Sequence, residues 1–277
     1  GINMALFPTN RLATKFCVAI LGPLVVIALI VFFLCSWGAR GMIFSLIEKK
    51  TRDMSQSIAL QIDRVFPRSE QTAEDLELFI RTFNPDLEQL KTMIKATVAN
   101  DPDIHGIGVA FQPNAFLPDQ RYVGPYYHRD KTATDRIEFY DLGTKAYDYF
   151  KWDWYKQPMT KKGPLWIEPY FGSGGGVIMC TYSLPFRLPK DKASEGFSGV
   201  IAIDIRLVWL ENIVKDIDVV EDGYVMIISK AGTIVSHPIP ELIMNENLIK
   251  LAEQRKDEEL REVCKKMTSG QSGFFKF

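Results

Sequence analysis

The chain lacks a large excess of charge of either sign, and this excludes one class of function. Its 33 lysines and arginines balance 34 aspartates and glutamates, which gives a formal net charge of −1. A protein that follows nucleic-acid phosphates needs a basic face, so no nucleic-acid partner is expected. No long block of like charge predicts a disordered tail either.

Cysteine and histidine are also scarce, with four and three residues among 277. Cys17 and Cys35 lie inside a long apolar segment, which leaves Cys180 and Cys264 far apart in the remaining sequence. A disulfide between these two is possible but not expected, because pairing requires Cα atoms within about 7 Å. No cysteine spacing is typical of a metal site, and we expect neither a metal nor another cofactor.

Motifs of the common catalytic sites are missing as well. His105, His128 and His237 are scattered, and His237 precedes a proline, as in a turn that ends a strand. No glycine-rich phosphate loop precedes a lysine, and there is no nucleophile elbow. We therefore assign no catalytic residue and expect no enzyme activity from this part of the protein.

What the sequence does contain is one long segment without charge, residues 16–37. As an α-helix it would be about 33 Å long, against about 30 Å for the hydrocarbon core of a membrane. Signal peptides and buried helices have shorter apolar runs. The segment therefore predicts a transmembrane helix, with residues 1–15 as a cytoplasmic tail. Basic residues flank both ends, so this orientation depends on the following region being exported.

Residues 41–99 predict a helical stalk. An apolar stripe marks its first helix, residues 41–66, at Ile47, Met54, Ile58, Ile62 and Val65. Such a stripe faces a core or packs against a second copy, and we expect a homodimer. Pro67 should kink or end this helix, and two further helices are expected at 69–83 and 85–98.

After residue 100 the spacing of apolar residues changes from the repeat of a helix to the shorter repeat of β-strands. Strands are predicted at 105–111, 121–129, 163–170, 177–186, 197–204, 223–229, 233–236 and 272–277. Helices are predicted at 207–217 and 245–267. Helices followed by antiparallel strands indicate an α+β fold. We expect two sheet lobes, residues 100–218 and 219–277, with the second lobe cut short at residue 277.

Aromatic residues are densest at 147–155, and two more follow in the next predicted strand. Tryptophan and tyrosine combine a flat apolar face with a polar edge, which suits a pocket for a small polar ligand. The alternative is that they fill the core of the lobe. We predict that the group forms a pocket wall made of Tyr147, Tyr149, Trp152, Trp154, Tyr155, Trp166 and Tyr170.

A charged residue, Asp204, interrupts the apolar strand 200–205. A buried carboxylate must be paired or hydrogen-bonded. The sequence does not decide whether the partner of Asp204 is a ligand ammonium group, the side chain of Arg206 or Lys215, or backbone amides.

Two neighbouring features complete the predicted ligand site. Thr181 and Ser183 fall on one face of their strand and are predicted to line the same cavity. The glycine-rich stretch 172–176 forms either a mobile lid or a plain hairpin turn, and we favour the turn.

From about residue 104 onward the chain resembles the double Cache domain of bacterial membrane receptors. The similar segments are 106–111, 147–149, 153–155, 166–170, 179–186, 199–204, 223–232 and 237–238. The resemblance implies two PAS-like lobes on a long N-terminal helix. It also implies a ligand pocket in the membrane-distal lobe, and a periplasmic or extracellular location with the anchor in the inner membrane.

Family members that bind amino acids carry a tyrosine, an arginine, Trp-Tyr and later acids. The residues here that look like this pattern are Tyr147, Trp154, Tyr155, Tyr170 and Asp204. Trp152 stands in the place of the carboxylate-binding arginine, and Gly172 in the place of one acid. Because tryptophan cannot hold a carboxylate through two parallel hydrogen bonds, we expect a sensor that is not a standard amino-acid sensor.

The stretch 243–273 looks most like receptors with a SpoIIE-like serine phosphatase, and sensor histidine kinases and chemoreceptors share the sensing module. We expect a small-molecule-sensing region whose second membrane helix and output domain follow residue 277. One alternative is an anchored adhesion or protein-binding ectodomain, which predicts a filled distal lobe and an exposed apolar patch. The other is an anchored enzyme.

Overall fold

The computed structural model describes residues 11–172, 177–189, 196–215, 223–271 and 273. The chain divides into two units, residues 1–57 and 58–277. Three sequence predictions lie wholly or mostly outside the described residues. They are the cytoplasmic tail up to residue 10, the glycine run 174–176, and the strand 272–277, of which only residue 273 is described.

Helix α1, Arg11–Phe83, includes the apolar segment. In the described part of the chain it is the one helix long and apolar enough to cross a membrane. Of the two alternatives predicted for Pro67, that it kinks or that it ends the stalk helix, the second is wrong, because α1 continues through it to Phe83. Proline removes one backbone hydrogen bond. Beyond it, Leu76 and Ile80 are fully buried, and this packing maintains the helix.

A six-stranded sheet forms the centre of the second unit. Its strands are β1 Gly106–Phe111, β2 Pro125–Arg129, β3 Ile137–Asp141, β4 Leu165–Gly172, β5 Val177–Phe186 and β6 Gly199–Arg206. Their order is β3-β2-β1-β6-β5-β4, and every neighbouring pair is antiparallel. The predicted α+β class with an antiparallel lobe is confirmed. Strand β3 was not predicted, because it is an edge strand whose residues are exposed or half-buried and carry little apolar pattern.

One face of this sheet packs against helices. Helix α2, Leu87–Asn100, begins with a capping box in which Asp86 and Gln89 exchange hydrogen bonds. Together with the second half of α1 it buries a continuous apolar core against the sheet. The core includes Ala73, Leu76, Ile80, Leu90, Ile94, Val98, Ile107, Val109, Phe111, Ile201 and Ile203.

The other face is covered by a segment for which the sequence predicted no helix. A short 3-10 helix, Tyr149–Lys151, leads into α3, Asp153–Lys161. The rings of Tyr149, Trp154 and Tyr155 pack here with small residues of the strands. This face holds the candidate site.

The remaining elements follow β6. They are α4 Val208–Lys215, a two-stranded sheet of β7 Ile227–Ile228 and β8 Ile234–Ser236, and helices α5 Leu248–Arg255 and α6 Glu258–Thr268. The prediction of one helix over 245–267 is wrong. Lys256 adopts a left-handed conformation with φ of 55°, which ends α5. Asp257 then caps α6 by accepting a hydrogen bond from the Leu260 amide.

Candidate ligand site

A small cavity lies between the strands and the aromatic segment that covers them. Its volume is about 20 Å³, room for about one water molecule. Its walls come from β1, β2, β4, β5, β6, the segment between β3 and α3, and α3 itself. They are formed by Gly108, Tyr126, Leu142, Tyr147, Trp154, Tyr170, Gly172, Met179, Ala202 and Asp204.

Asp204 is the charged residue of this cavity and is only 6% exposed. Tyr126 donates a hydrogen bond from its hydroxyl to Oδ2 at 2.8 Å. Thr181 donates from Oγ1 to Oδ1 at 2.6 Å. Tyr170 lies one step further, with its hydroxyl 2.8 Å from Thr181 Oγ1. The expected alternatives Arg206 and Lys215 are not among the hydrogen-bond or ion-pair partners of this carboxylate in the described chain.

Burial controls the ionisation of these groups. It raises the pKa of Asp204 to about 6, although the Thr181 and Tyr126 hydrogen bonds and the nearby His128 act in the opposite direction. Burial, and then the charge of Asp204, raise the pKa of both Tyr126 and Tyr170 well above the usual value. At neutral pH the site is therefore a carboxylate among protonated hydroxyl groups.

Four of the ten predicted site residues line this cavity, namely Tyr147, Trp154, Tyr170 and Asp204. Trp154 donates from Nε1 to the Tyr147 hydroxyl at 3.3 Å, which fixes one ring against the other. Thr181 lies directly behind the wall through its bond to Asp204.

Two predicted residues belong to the core instead. Tyr149 is fully buried, and its hydroxyl donates to the Phe111 carbonyl at 2.7 Å. Burial raises the pKa of Tyr149 to about 12. Tyr155 packs beside it at a ring distance of 5.1 Å. Tyr149 and Tyr155 therefore fill the core of the lobe, which was the alternative to a pocket wall.

Three further predicted residues lie away from the cavity. Trp152 is 38% exposed and stacks on Tyr147 at a centroid distance of 5.4 Å. Trp166 lies on the helical face of the sheet and donates from Nε1 to Glu70 of α1 at 2.6 Å. Ser183 shares the strand face of Thr181, as predicted, but is buried beside the cavity rather than in its wall.

Tyr126 is a site residue that the sequence analysis missed. Its strand was predicted, but its place against Asp204 depends on the pairing of β1 with both β2 and β6. The signal lay in Gly106, which is opposite Asp204. A Cβ added to Gly106 would come within 2.5 Å of the Tyr126 hydroxyl, so glycine makes room for the ring.

Met179 fills the space next to Gly172. A Cβ added at Gly172 would collide with the Met179 thioether, so any side chain there would need Met179 to move. This explains physically why glycine stands where the resemblance implies an acid. Gly172 also pairs with Val177, so β4 and β5 form antiparallel neighbours on both sides of the glycine run.

A wider groove of about 430 Å³ adjoins the cavity and shares Trp154 and Tyr170 with it. Trp152 and Phe171 form its exposed aromatic surface. Among the described residues no group of three or more histidine, cysteine, aspartate or glutamate side chains is arranged to hold a metal ion.

Part of the chain is similar to a family of sensor domains. Residues 90–212 match the family model described as methyl-accepting chemotaxis protein-like, first PDC sensor domain. The methyl-accepting chemotaxis protein PscA of Pseudomonas syringae pv. tomato is 28% identical over 91 residues. That stretch is 33% of this chain but 14% of the relative, so the chain spans only a small part of that protein.

Solved structures share the fold. The extracellular domain of the proposed histidine kinase mmHK1S-Z2 has a TM-score of 0.66 at 22% identity, covering 82% of this chain and 85% of that chain. Methyl-accepting chemotaxis protein X has a TM-score of 0.64 at 19% identity, covering 82% and 84%. The ligand-binding domain of Mlp24 with asparagine has a TM-score of 0.54 at 18% identity, covering 76% and 78%.

The matched family is one of sensor domains, which agrees with the expectation that this region is not an enzyme. The antiparallel sheet, its helical face and its opposite face with a cavity all lie largely within the matched residues. Residues 90–212 are therefore similar in sequence to a first PDC sensor domain, and the fold of the chain is that of extracellular sensor domains.

Proposed function

We propose that this chain is the extracytoplasmic sensing region of a transmembrane receptor that signals to a kinase, phosphatase or methyl-accepting output domain. Residues 16–37 would span the membrane and 41–99 would form the stalk of a homodimer. Residues 100–218 would be the membrane-distal sensing lobe and 219–277 the proximal lobe. The match to a chemotaxis-type sensor domain and the exposed apolar helix support this organisation.

We infer that the ligand is a small primary amine without a carboxylate. The observation that carries this inference is Asp204, a buried carboxylate whose hydrogen-bond partners among the described residues are the neutral hydroxyls of Tyr126 and Thr181. A buried charge without an opposite charge is costly. An ammonium group would supply that charge.

The hydrogen-bond directions favour the same ligand. Tyr126 and Thr181 both use their hydroxyl hydrogens on Asp204, so Tyr170 donates to Thr181. The oxygens of these groups are left as acceptors. A ligand group that contacts these three hydroxyls must therefore donate hydrogen bonds, as an ammonium group does in three directions.

The cavity offers little to a ligand carboxylate. No lysine, arginine or histidine is among the residues that line it in the described chain. Trp152, which replaces the carboxylate-binding arginine of the resemblance, lies outside the cavity on the Tyr147 ring. The volume of about 20 Å³ limits the part of the ligand held here to about one or two non-hydrogen atoms.

Calorimetry on the full chain in detergent micelles tests the assignment. We expect methylammonium to bind, and glycine to fail to displace it because the added carboxylate meets no cation. Asp204→Asn should weaken methylammonium binding by at least about tenfold, as loss of a charge-assisted hydrogen bond implies. Trp152→Ala, outside the cavity, is the matched control and should bind as the parent does.

Two results would contradict this assignment. Displacement of methylammonium by a free α-amino acid at lower concentration would show that a carboxylate site exists. Failure of every primary amine to bind would favour the adhesion or protein-binding alternative.

Binding should also depend on pH in a defined direction. The ammonium ligand needs the ionised form of Asp204, whose pKa is raised to about 6. Affinity for methylammonium should thus be constant above that value and fall about tenfold for each pH unit well below it. Titration by calorimetry between pH 5 and 8 measures this, and a flat profile would remove Asp204 from the binding site.

The membrane arrangement can be tested separately. Lys151→Cys puts a thiol beside the groove on the sensing lobe, where the lysine side chain is largely exposed. A membrane-impermeant maleimide should label it in intact cells. Labelling only after lysis would place the lobe in the cytoplasm and contradict the proposed topology.

A further inference from the structure

A second cavity lies at one end of the six-stranded sheet, beside strands β1, β2 and β6. Its volume is about 120 Å³. Six of its lining residues define its chemistry. They are the basic residues His105, Arg129 and Arg206, the acidic residue Asp103, and the apolar residues Val65 and Trp209. None of these residues lines the cavity that holds Asp204.

Arg129 contributes a fixed positive charge to this wall. Its guanidinium donates to the carbonyls of Ile104 at 3.0 Å, Thr134 at 2.8 Å and Asp101 at 2.9 Å. It also donates to carbonyls at the end of α2, those of Val98 and Ala99. These partners are neutral carbonyl groups, so they orient the guanidinium without cancelling its charge.

Arg206 is the group available to a ligand. It is half-buried at the end of β6, and within the described ranges its side chain makes no hydrogen bond or ion pair. The nearby carboxylate of Asp101 is already bound by Arg68 at 2.8 Å. Asp103 is then the one acid in the wall, against two guanidinium groups.

We propose that this second cavity binds a small carboxylate of about the size of acetate, held by the Arg206 guanidinium. A guanidinium binds a planar carboxylate through two parallel hydrogen bonds. Because the two arginines and Asp103 give the wall a net charge of about +1, the cavity favours a ligand with one negative charge over a ligand with two. Val65 and Trp209 provide an apolar surface for the methyl group. The inference is independent of the proposed amine site.

The position of this cavity gives the anion a means to act on the fold. Val65 belongs to α1, and it packs in one apolar cluster with Leu207 and Leu210 and with Val235 of β8. A ligand bound against Val65 and Trp209 would rest where the stalk, the six-stranded sheet and the two-stranded sheet meet. It would stabilise their mutual packing by its differential affinity for that arrangement.

The test is calorimetric titration of the full chain in detergent micelles with sodium acetate, against sodium chloride at the same ionic strength. We expect saturable 1:1 binding of acetate only. Arg206→Gln should weaken it at least about tenfold. The matched control is Arg261→Gln on α6, where an exposed arginine pairs with Glu258 at 2.7 Å, and it should leave acetate binding unchanged.

Further variants separate the outcomes. Asp204→Asn should keep acetate binding, so loss of the amine site and loss of this site are distinguishable. Val208→Glu puts a competing carboxylate on another, partly exposed residue of the cavity wall and should also abolish acetate binding, which covers the case in which Arg206→Gln does not fold. Inorganic phosphate should bind more weakly than acetate.

Three results would overturn the proposal. They are the absence of saturable acetate binding in the parent, equal binding in the parent and folded Arg206→Gln, and tighter binding of phosphate than of acetate. The last would replace the carboxylate by a different class of anion.

Discussion

The two faces of the six-stranded sheet are built from alternate residues of the same strands, yet their contents are opposite. On β6, Ile201 and Ile203 point to the helices, whereas Ala202 and Asp204 belong to the cavity side. On β5, Tyr182 lies on the helical side and Thr181 on the other. On these two strands small and polar residues are thus more frequent on the cavity face, and large apolar residues on the face opposite.

This difference separates stability from recognition. A fully buried isoleucine or leucine contributes about 1.5–3 kcal/mol relative to its exposed state, and the helical face has many of them. The cavity face instead buries a carboxylate and several hydroxyl groups, which costs free energy unless a partner is supplied. The helical face should therefore carry most of the free energy of unfolding, and the cavity face should control ligand binding.

The largest effect should come from the helical face. Ile203→Ala should lower the free energy of unfolding by about 2–5 kcal/mol, because it leaves a void in a fully buried core. Chemical denaturation of the full chain, followed by tryptophan fluorescence, measures this. Ile203→Val, a smaller deletion at the same position, should cost about 0.5–1.5 kcal/mol.

Methylammonium affinity should stay unchanged in the folded fraction of both Ile203 variants. A loss of affinity that scales with the loss of stability would mean that the two faces are coupled and that their separation is wrong.

A substitution one residue further along β6, at Asp204, is expected to have the opposite effect on the free energy of unfolding. The pKa of Asp204 in the fold is raised from 3.8 to about 6, so the folded state binds a proton more tightly than the unfolded state. Stability of the ligand-free protein should therefore fall as pH rises from about 4 to about 6 and stay level above. Asp204→Asn should remove this slope and stabilise the protein at pH 7, by about 3 kcal/mol less the cost of the one hydroxyl, of Tyr126 or Thr181, that then faces an amide nitrogen.

The gain in stability of Asp204→Asn should accompany the loss of methylammonium binding predicted for the same variant. A variant that is more stable yet does not bind would identify Asp204 as a residue kept for recognition. If Asp204→Asn instead destabilises the protein at pH 7, the carboxylate serves the fold through its Tyr126 and Thr181 bonds.

Sequence reasoning located much of the helical face and the strands β1, β5 and β6, since their apolar pattern is dense. It failed at β3, where exposed edge residues carry little pattern, and at Pro67, where burial beyond the proline outweighs one lost hydrogen bond. Helix α3 was missed because its aromatic residues mask a helical period.

The site was predicted in part for a related reason. Residue type alone marked Tyr147, Trp154 and Asp204, since aromatic rings and a carboxylate in an apolar strand are unusual. It could not separate the cavity wall from the core at Tyr149 and Tyr155, because both roles require the same residue type. The contribution of Tyr126 depends on strand pairing, which is a property of the whole sheet.

The smallest expected effect concerns two tyrosines of the cavity face that differ in hydrogen bonding. Tyr155 is buried and, among the described residues, its hydroxyl has no partner, whereas the neighbouring Tyr149 donates to the Phe111 carbonyl at 2.7 Å. An unpaired buried hydroxyl destabilises, and a paired one contributes about 1 kcal/mol. Tyr155→Phe should therefore raise the free energy of unfolding by about 1 kcal/mol, and Tyr149→Phe should lower it by about as much.

Ser183 provides an independent measurement of the same cost, because its buried Oγ likewise has no partner in the described part of the chain. Ser183→Ala removes that atom without opening a large void and should also stabilise by about 1 kcal/mol. Chemical denaturation of the three variants measures these changes against the parent. If Tyr155→Phe lowers stability as Tyr149→Phe does, the Tyr155 hydroxyl is satisfied as well, through a trapped water or a neighbouring group. The contrast between the two faces would then rest on Asp204 alone.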